Sequence, residues 1–151
     1  MLGDARLTLA KEPDGIYDLI VIDAYSSDAI PVHLATAEAM AIYKKKLAPH
    51  GVVMMHISNR NLELQSVATG IASANGLKSW VFNDPRQPEV LSELIFASDV
   101  VVSAAEAADI GALAQNPHWV ETAHDPASRI WTDDYSNIAS AFWRKLRGTH
   151  D

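Results

Sequence analysis

The chain carries a short aliphatic run, Tyr17-Asp18-Leu19-Ile20-Val21-Ile22-Asp23, shortly after the turn residues Pro13-Asp14-Gly15. A continuous run of aliphatic and β-branched residues of this length, preceded by a turn, is typical of a parallel strand that is buried on both faces of a sheet. We therefore predict a central parallel strand here. It ends at the carboxylate of Asp23.

Helices and strands alternate downstream of this run. Apolar spacing and terminal lysines predict a helix over residues 36–47, and a second buried strand is predicted over residues 51–57. The further predicted elements are a helix from Leu64 to Asn75-Gly76, strands at 79–83 and 91–97, an Ala-rich helix opened by a capping box at Ser103-Ala104-Ala105-Glu106 and ending near Asn116-Pro117, and a short helix at 136–146. This alternation predicts an α/β fold, a parallel sheet with helices on both faces.

The composition is that of one globular domain. Of 151 residues, 48% are hydrophobic and 21% are charged, proportions that exclude a disordered or low-complexity chain. The formal net charge of -7 disfavours nucleic acid and anionic lipid as partners. The apolar runs are far shorter than the ~20 residues of a membrane helix, and the absence of cysteine suits a reducing compartment. We expect a single domain over residues 1–151, in the cytoplasm, with neither a nucleic-acid nor a membrane partner.

Polar residues that follow the first strand are the candidates for chemistry. Ligands of open α/β sheets bind beyond the carboxyl ends of the strands, and Asp23 opens a polar loop that ends at Asp28. Two carboxylates can hold a cationic amine, and one of them can accept its proton and free the lone pair for attack. A structural alternative stays open, in which Asp23 satisfies the backbone donors of the next turn.

Other constellations are poorly supported. The six histidines show no zinc-protease spacing and the chain has no cysteine, so no metal site is predicted. Ser26-Ser27 lacks the glycine frame of a hydrolase nucleophile. We interpret the pair Asp133-Asp134 as a cap of the last predicted helix in preference to a cation site.

Four segments form an ordered set along the chain: Gly3-Asp4-Ala5-Arg6, Tyr17 to Asp23, Pro31-Val32-His33-Leu34-Ala35-Thr36-Ala37-Glu38, and Leu47-Ala48-Pro49-His50-Gly51-Val52. In order and spacing they resemble the spermidine synthase family of aminopropyltransferases. Trp131-Thr132-Asp133-Asp134-Tyr135-Ser136-Asn137 is similar to the tail of bacterial members. The resemblance implies a partial Rossmann-like, methyltransferase-type sheet of about four strands.

On the amine side of the site, the resemblance assigns two catalytic acids. Asp23 matches the base that holds the attacking amine, and Asp28 matches the second carboxylate, although the spacing between the two acids is longer than the family's usual one. Tyr25 lies between them and is expected to line the substrate pocket.

On the nucleotide side, the resemblance makes Asp4, with its neighbour Ala5, the reader of the adenine amino group. Pro31 and Val32 match positions that pack around the adenine. For Asp4 an alternative stays open, in which it is the N-cap of a helix over residues 5–9.

The resemblance implies transfer of an aminopropyl group from decarboxylated S-adenosylmethionine to the polyamine precursor putrescine, with methylthioadenosine as product and no permanently bound cofactor. The family's glycine-rich turn falls upstream of the matched segments, and no Gly-x-Gly pattern occurs in this chain. The N-terminal glycine-rich half is thus expected to be missing, and methylthioadenosine to bind weakly to the chain alone. Two alternatives remain: an S-adenosylmethionine-dependent methyltransferase, or a catalytically silent domain that acts by assembly, as a homo-oligomer or with a complementing N-terminal chain.

Overall fold

The computed structural model describes residues 4–23, 31–58, 62–82 and 99–148. The helices are α1 (Ala5–Lys11), α2 (Ala37–Lys46), α3 (Gln65–Ala74) and α4 (Ile138–Gly148), with 3₁₀ segments η1 (Val32–Leu34) and η2 (Ala107–Gln115). The strands are β1 (Tyr17–Ile22), β2 (Leu47–His56), β3 (Lys78–Phe82), β4 (Val100–Ala104) and β5 (Trp119–Glu121). None of the helices in these ranges is long and apolar enough to cross a membrane.

The five described strands form one sheet in the order β1-β2-β4-β3-β5. The α/β class and its flanking helices are confirmed, but the prediction of a parallel sheet holds only in part. β1 and β2 pair in parallel, whereas β4 lies antiparallel between β2 and β3, and β5 pairs antiparallel with β3. The helical crossovers through α2 and α3 do leave β1, β2 and β3 pointing the same way. The sequence of β4 is mostly aliphatic, and such a sequence does not indicate whether the strand pairs parallel or antiparallel with its neighbours.

β1 lies at an edge of the described sheet, so the prediction that it is central is wrong. It pairs with β2 on one side. Ile20 is buried, while Leu19 and Val21 are 48% and 52% exposed. Since successive side chains of a strand point to opposite faces, one face of β1 is covered and the other stays open among the described residues.

The segment after β3 differs most from its prediction. Ser103 and Ala104 end β4 and are buried, so they do not open a helix. The capping box exists three residues further on, where Glu106 and Asp109 bond each other's backbone amides at the start of η2. The valines of β4 favour a strand, and the strand displaces the helix start. The predicted strand at 91–97 lies outside the described residues.

The core packs on both faces of the sheet. α2 and α3, with Trp131 and Ala141 from the tail, cover the face that carries Ile20, Val53 and Val101. η2 covers the opposite face over β3 and β4, where Ile110 packs with Trp80 and Val102. The predicted helices at 36–47, 64–75 and 136–146 correspond to α2, α3 and α4 within two residues at each end.

Candidate functional site

Polar residues from three strands meet at one edge of the sheet. β1 and β2 are parallel, so their carboxyl ends lie together, and β4 begins at the same edge because it is antiparallel to β2. Asp23 follows β1, His56 and Ser58 stand at the end of β2, and Asp99 precedes β4. We call these four residues the edge cluster. It stands where open α/β sheets bind their ligands.

The edge cluster is joined by a continuous chain of hydrogen bonds. His56 Nδ1 lies 2.9 Å from Asp23 Oδ1, and His56 Nε2 lies 2.8 Å from Ser58 Oγ. The backbone amide of Asp99 donates to Ser58 Oγ at 2.7 Å. An ionised carboxylate only accepts hydrogen bonds, so the proton of the first contact belongs to His56 Nδ1.

This arrangement leaves Asp23 exposed and oriented. Its side chain is 63% exposed, against 32% for the imidazole of His56. With Oδ1 bonded to His56, Oδ2 can meet an ammonium or amine group that approaches from solvent. Carboxylates in this setting hold cationic amines and accept protons from them.

Three members of the edge cluster were missed by the sequence reasoning. His56 and Ser58 stand two residues apart at the end of the predicted strand over 51–57, and the rule that singled out Asp23 applies equally to them. Asp99 precedes a strand that was not predicted, so its position could not be read from the sequence.

A cleft of about 150 Å³ opens beside the edge cluster and includes Ile57, Phe82 and Asp99 in its lining. Sites for small molecules and cofactors usually enclose about 300–1,000 Å³. The cleft is therefore too small to enclose a nucleoside.

Asp4 stands apart from this chain of hydrogen bonds, at the start of α1. Its Oδ1 accepts the backbone amide of Leu7 at 3.1 Å, which confirms the N-cap alternative. Its Oδ2 lies 3.4 Å from His33 Nε2. Both oxygens thus have protein partners, and the adenine-reading role of Asp4 stays a prediction.

The other nucleotide-side residues lie near Asp4 in the fold. Ala5 begins α1, and the carbonyl of Pro31 accepts the amide of Leu34 as η1 begins. Val32 packs against the main core. The Asp4–His33 contact brings α1 and η1 together, so these predicted adenine contacts form one group. Tyr25 and Asp28 lie outside the described residues.

Asp133 does not cap the last helix, so that interpretation is wrong. It makes a two-pronged ion pair with Arg6, Nη1 to Oδ1 and Nη2 to Oδ2, both at 2.7 Å. Thr36 Oγ1 donates to Asp133 Oδ1 at 2.8 Å. The hydrogen bond from Arg6 lowers the pKa of Asp133. Asn137 caps α4 instead, accepting the amide of Ser140 at 2.8 Å, because it stands next to the first turn and Asp133 does not.

Within the described residues, no three histidine, aspartate or glutamate side chains are grouped closely enough to hold a metal ion. The closest acid–imidazole contacts are pairs. The Asp23–His56 pair belongs to the edge cluster. His50 bonds Asp109 at 2.7 Å, and it lies in the first half of β2, away from the end of that strand where the edge cluster stands.

Comparison with known proteins agrees with this geometry at the level of the fold. Neither protein-family models nor curated protein sequences match the chain. A solved structure does match: a probable spermidine synthase from Corynebacterium glutamicum ATCC 13032, with a TM-score of 0.56 and 13% sequence identity, over 91% of this chain and 55% of that chain. The fold is therefore spermidine synthase-like, of the methyltransferase-like α/β type. The chain spans about half of that neighbour's length.

Proposed function

We propose that the chain supplies the amine side of an aminopropyltransferase site, in which an aminopropyl group passes from decarboxylated S-adenosylmethionine to putrescine. The observation that carries the proposal is the position of Asp23. It is an exposed carboxylate at the carboxyl end of a parallel strand, oriented through one oxygen, in a spermidine synthase-like fold.

In the proposed reaction, Asp23 binds the terminal amine of putrescine and accepts its proton. The nitrogen lone pair attacks the aminopropyl carbon next to the sulfonium, a C–N bond forms and the C–S bond breaks. The bonding pair goes to sulfur, which leaves neutral methylthioadenosine. The sulfonium is a good leaving group, so alignment of the two substrates supplies most of the acceleration.

The remaining predicted residues have roles in the same proposal. Asp28 and Tyr25 would complete the amine pocket, and Asp4 with Ala5, Pro31 and Val32 would contact the adenine. The neighbour's greater length supports a site completed by residues from another segment or another chain. A cytoplasmic location, suggested by the absence of cysteine, belongs to the same proposal.

A second candidate is a catalytically silent domain that acts by assembly. The observation that favours it is the outer edge of β1, which pairs with no strand of the described ranges and where Leu19 and Val21 are about half exposed. A methyltransferase would share the fold but take S-adenosylmethionine itself as the donor. The choice of donor therefore separates a methyltransferase from the proposed aminopropyltransferase.

The test is a transfer assay on the purified chain, alone and with a glycine-rich N-terminal segment supplied as a second chain, with spermidine and methylthioadenosine quantified by mass spectrometry. Asp23→Asn is expected to lower turnover about a hundredfold or more, as loss of a general base does. Asp18→Asn is the matched control, because Asp18 is an exposed aspartate on the same strand away from the edge cluster.

Near-normal turnover by Asp23→Asn would contradict the proposed base. Turnover with S-adenosylmethionine but not with its decarboxylated form would identify a methyltransferase. Absence of transfer from either donor, with and without the N-terminal segment, would favour the silent domain.

A further inference from the structure

His56 holds the carboxylate that the proposed reaction uses, yet the reaction assigns it no role. We infer that His56 is a positioning residue for Asp23, and that Ser58 and the Asp99 amide orient its imidazole for this task. The inference rests on the proposed function for its catalytic meaning. Its structural content, the Nδ1–H hydrogen bond to Asp23, can be tested without any activity.

The hydrogen-bond chain defines one tautomer of the neutral imidazole. The Asp99 amide donates to Ser58 Oγ, and Ser58 Oγ lies 2.8 Å from His56 Nε2. His56 Nδ1–H then donates to Asp23 Oδ1. Which ring nitrogen carries the proton is set by the bond that the other nitrogen makes. The anchor is the backbone of Asp99, itself at the edge of the sheet.

Asp23 needs such a support because little else among the described residues restrains it. An exposed aspartate at a strand end has more than one staggered rotamer open to it. Because the imidazole of His56 is less exposed and is bonded at both nitrogens, it can hold Oδ1 in place and leave Oδ2 aimed outward. A carboxylate aligned with the amine before reaction lowers the entropic part of the barrier.

Aspartate, histidine and serine also form the catalytic triad of serine hydrolases, but in the edge cluster the buried and the exposed ends are exchanged. In a hydrolase triad the aspartate is buried and the serine meets the substrate. In the edge cluster the aspartate is the exposed end, and Ser58 is partly buried and already accepts the Asp99 amide. The exposure therefore favours Asp23 as the group that meets a substrate.

The structural test is the tautomer of His56, measured by long-range proton–nitrogen NMR on the uniformly labelled chain. The Nδ1–H form is expected in the native protein, with a shift toward the Nε2–H form in Asp23→Ala. His50 provides a matched control, because its Nδ1 bonds Asp109 in the same manner. Asp109→Ala should change His50 and leave His56 unaltered. A native His56 in the Nε2–H form would overturn the inference.

The kinetic test compares two substitutions of His56, one that can keep the contact with Asp23 and one that can keep the contact with Ser58. His56→Asn places an N–H near the position of Nδ1 and should stay within a few-fold of native turnover. His56→Gln reaches the position of Nε2 instead and should lose about 10- to 100-fold in kcat, as His56→Ala should, with a smaller change in KM, because misplacing a catalytic group costs on this order. Equal turnover in the Asn and Gln variants, or normal turnover in the Ala variant, would overturn the inference.

These outcomes separate the inference from the proposed function. If His56 shows the Nδ1–H tautomer but no transfer is detected even with the N-terminal segment present, the proposed function fails and the Asp23–His56 pair stands. If Asp23→Asn abolishes transfer and His56→Ala does not, the function stands and the inference fails. Covalent labelling of Ser58 by a fluorophosphonate would make the serine the reactive end and would also overturn the inference.

Discussion

At the scale of single residues, Asp133 joins parts of the chain that are distant in sequence. Its partners are Arg6 at the start of the chain and Thr36 at the N-cap of α2. Because Arg6 lowers the pKa of Asp133 below its usual value, the contribution of Asp133 to stability is present above the pKa of the unfolded chain. It is lost as the pH falls through the lower pKa of the folded state.

We expect Asp133→Asn to lower the free energy of unfolding at pH 7 by about 1 kcal/mol, the upper end for an exposed ion pair, because the pair is two-pronged. Urea unfolding at several pH values is the measurement. The difference from the native chain should shrink as the pH falls below about 4, where the unfolded aspartate protonates.

The neighbouring Asp134→Asn is the control and should change stability little, since Asp134 lies exposed in the turn. Equal stability of the two variants at pH 7 would refute the structural role of Asp133. So would a stability difference that stays constant into acid.

At the scale of elements, the pairing of β1 with β2 contains an irregularity. Tyr17 pairs with Leu47 and Leu19 with Val52, so the intervening residues of β2 bulge out of register. His50 adopts a φ of 68° there, a left-handed conformation that is rare outside glycine. The segment Pro49-His50-Gly51 follows soon after α2, which ends at Lys46, and forms the bulge.

Gly51 allows the close approach of the two strands at this bulge. A Cβ added to it would lie 2.7 Å from the Tyr17 carbonyl oxygen and 3.0 Å from that of Ala48. Both are backbone atoms, so they cannot turn aside. Gly51→Ala should therefore destabilise the local pairing of β1 with β2 by about 1–3 kcal/mol, the usual cost of overpacking.

Hydrogen exchange is the measurement for this variant. Amides of β1 and the adjoining part of β2 should exchange faster, while amides shared by β3 and β4 serve as the internal control. Uniform acceleration over the whole sheet, or none, would contradict a local clash.

At the scale of the whole molecule, β1 has no strand beside it on its outer side among the described residues. Leu19 and Val21 share a face with Val52 and Met54, which η2 covers only from the side of β4. An unpaired apolar edge is a template for pairing with another chain.

We expect the chain to form a homodimer or a larger species through β1, detectable by light scattering at high micromolar concentration. Val21→Lys should raise the concentration needed for association about tenfold, a change of about 1.4 kcal/mol, because a lysine places charge on the open face. Val120→Lys on β5, a similarly exposed valine on the opposite edge, is the control. A monodisperse native monomer, or equal effects of the two variants, would argue that β1 is not the interface.

Local pattern was enough to predict α2, α3, α4 and the strands β1, β2 and β3, and it located Asp23 at a strand end. These features depend on spacing and turn residues within about 15 positions, which is the range over which periodicity operates. The capping role of Asp4 was open from the same local information and is now confirmed.

Strand direction and long-range pairing depended on the tertiary structure. Ser103 lies in β4 because it pairs with Val53, and Asp133 leaves the helix cap because it pairs with Arg6. Both partners are far along the chain. The position of β1 in the sheet likewise depends on which strands lie beside it. The pair of Asp23 with His56 belongs to the same class, since 33 positions separate them. Side-chain periodicity records which face of an element is apolar, and it carries no information about which distant residue will lie against that face or edge.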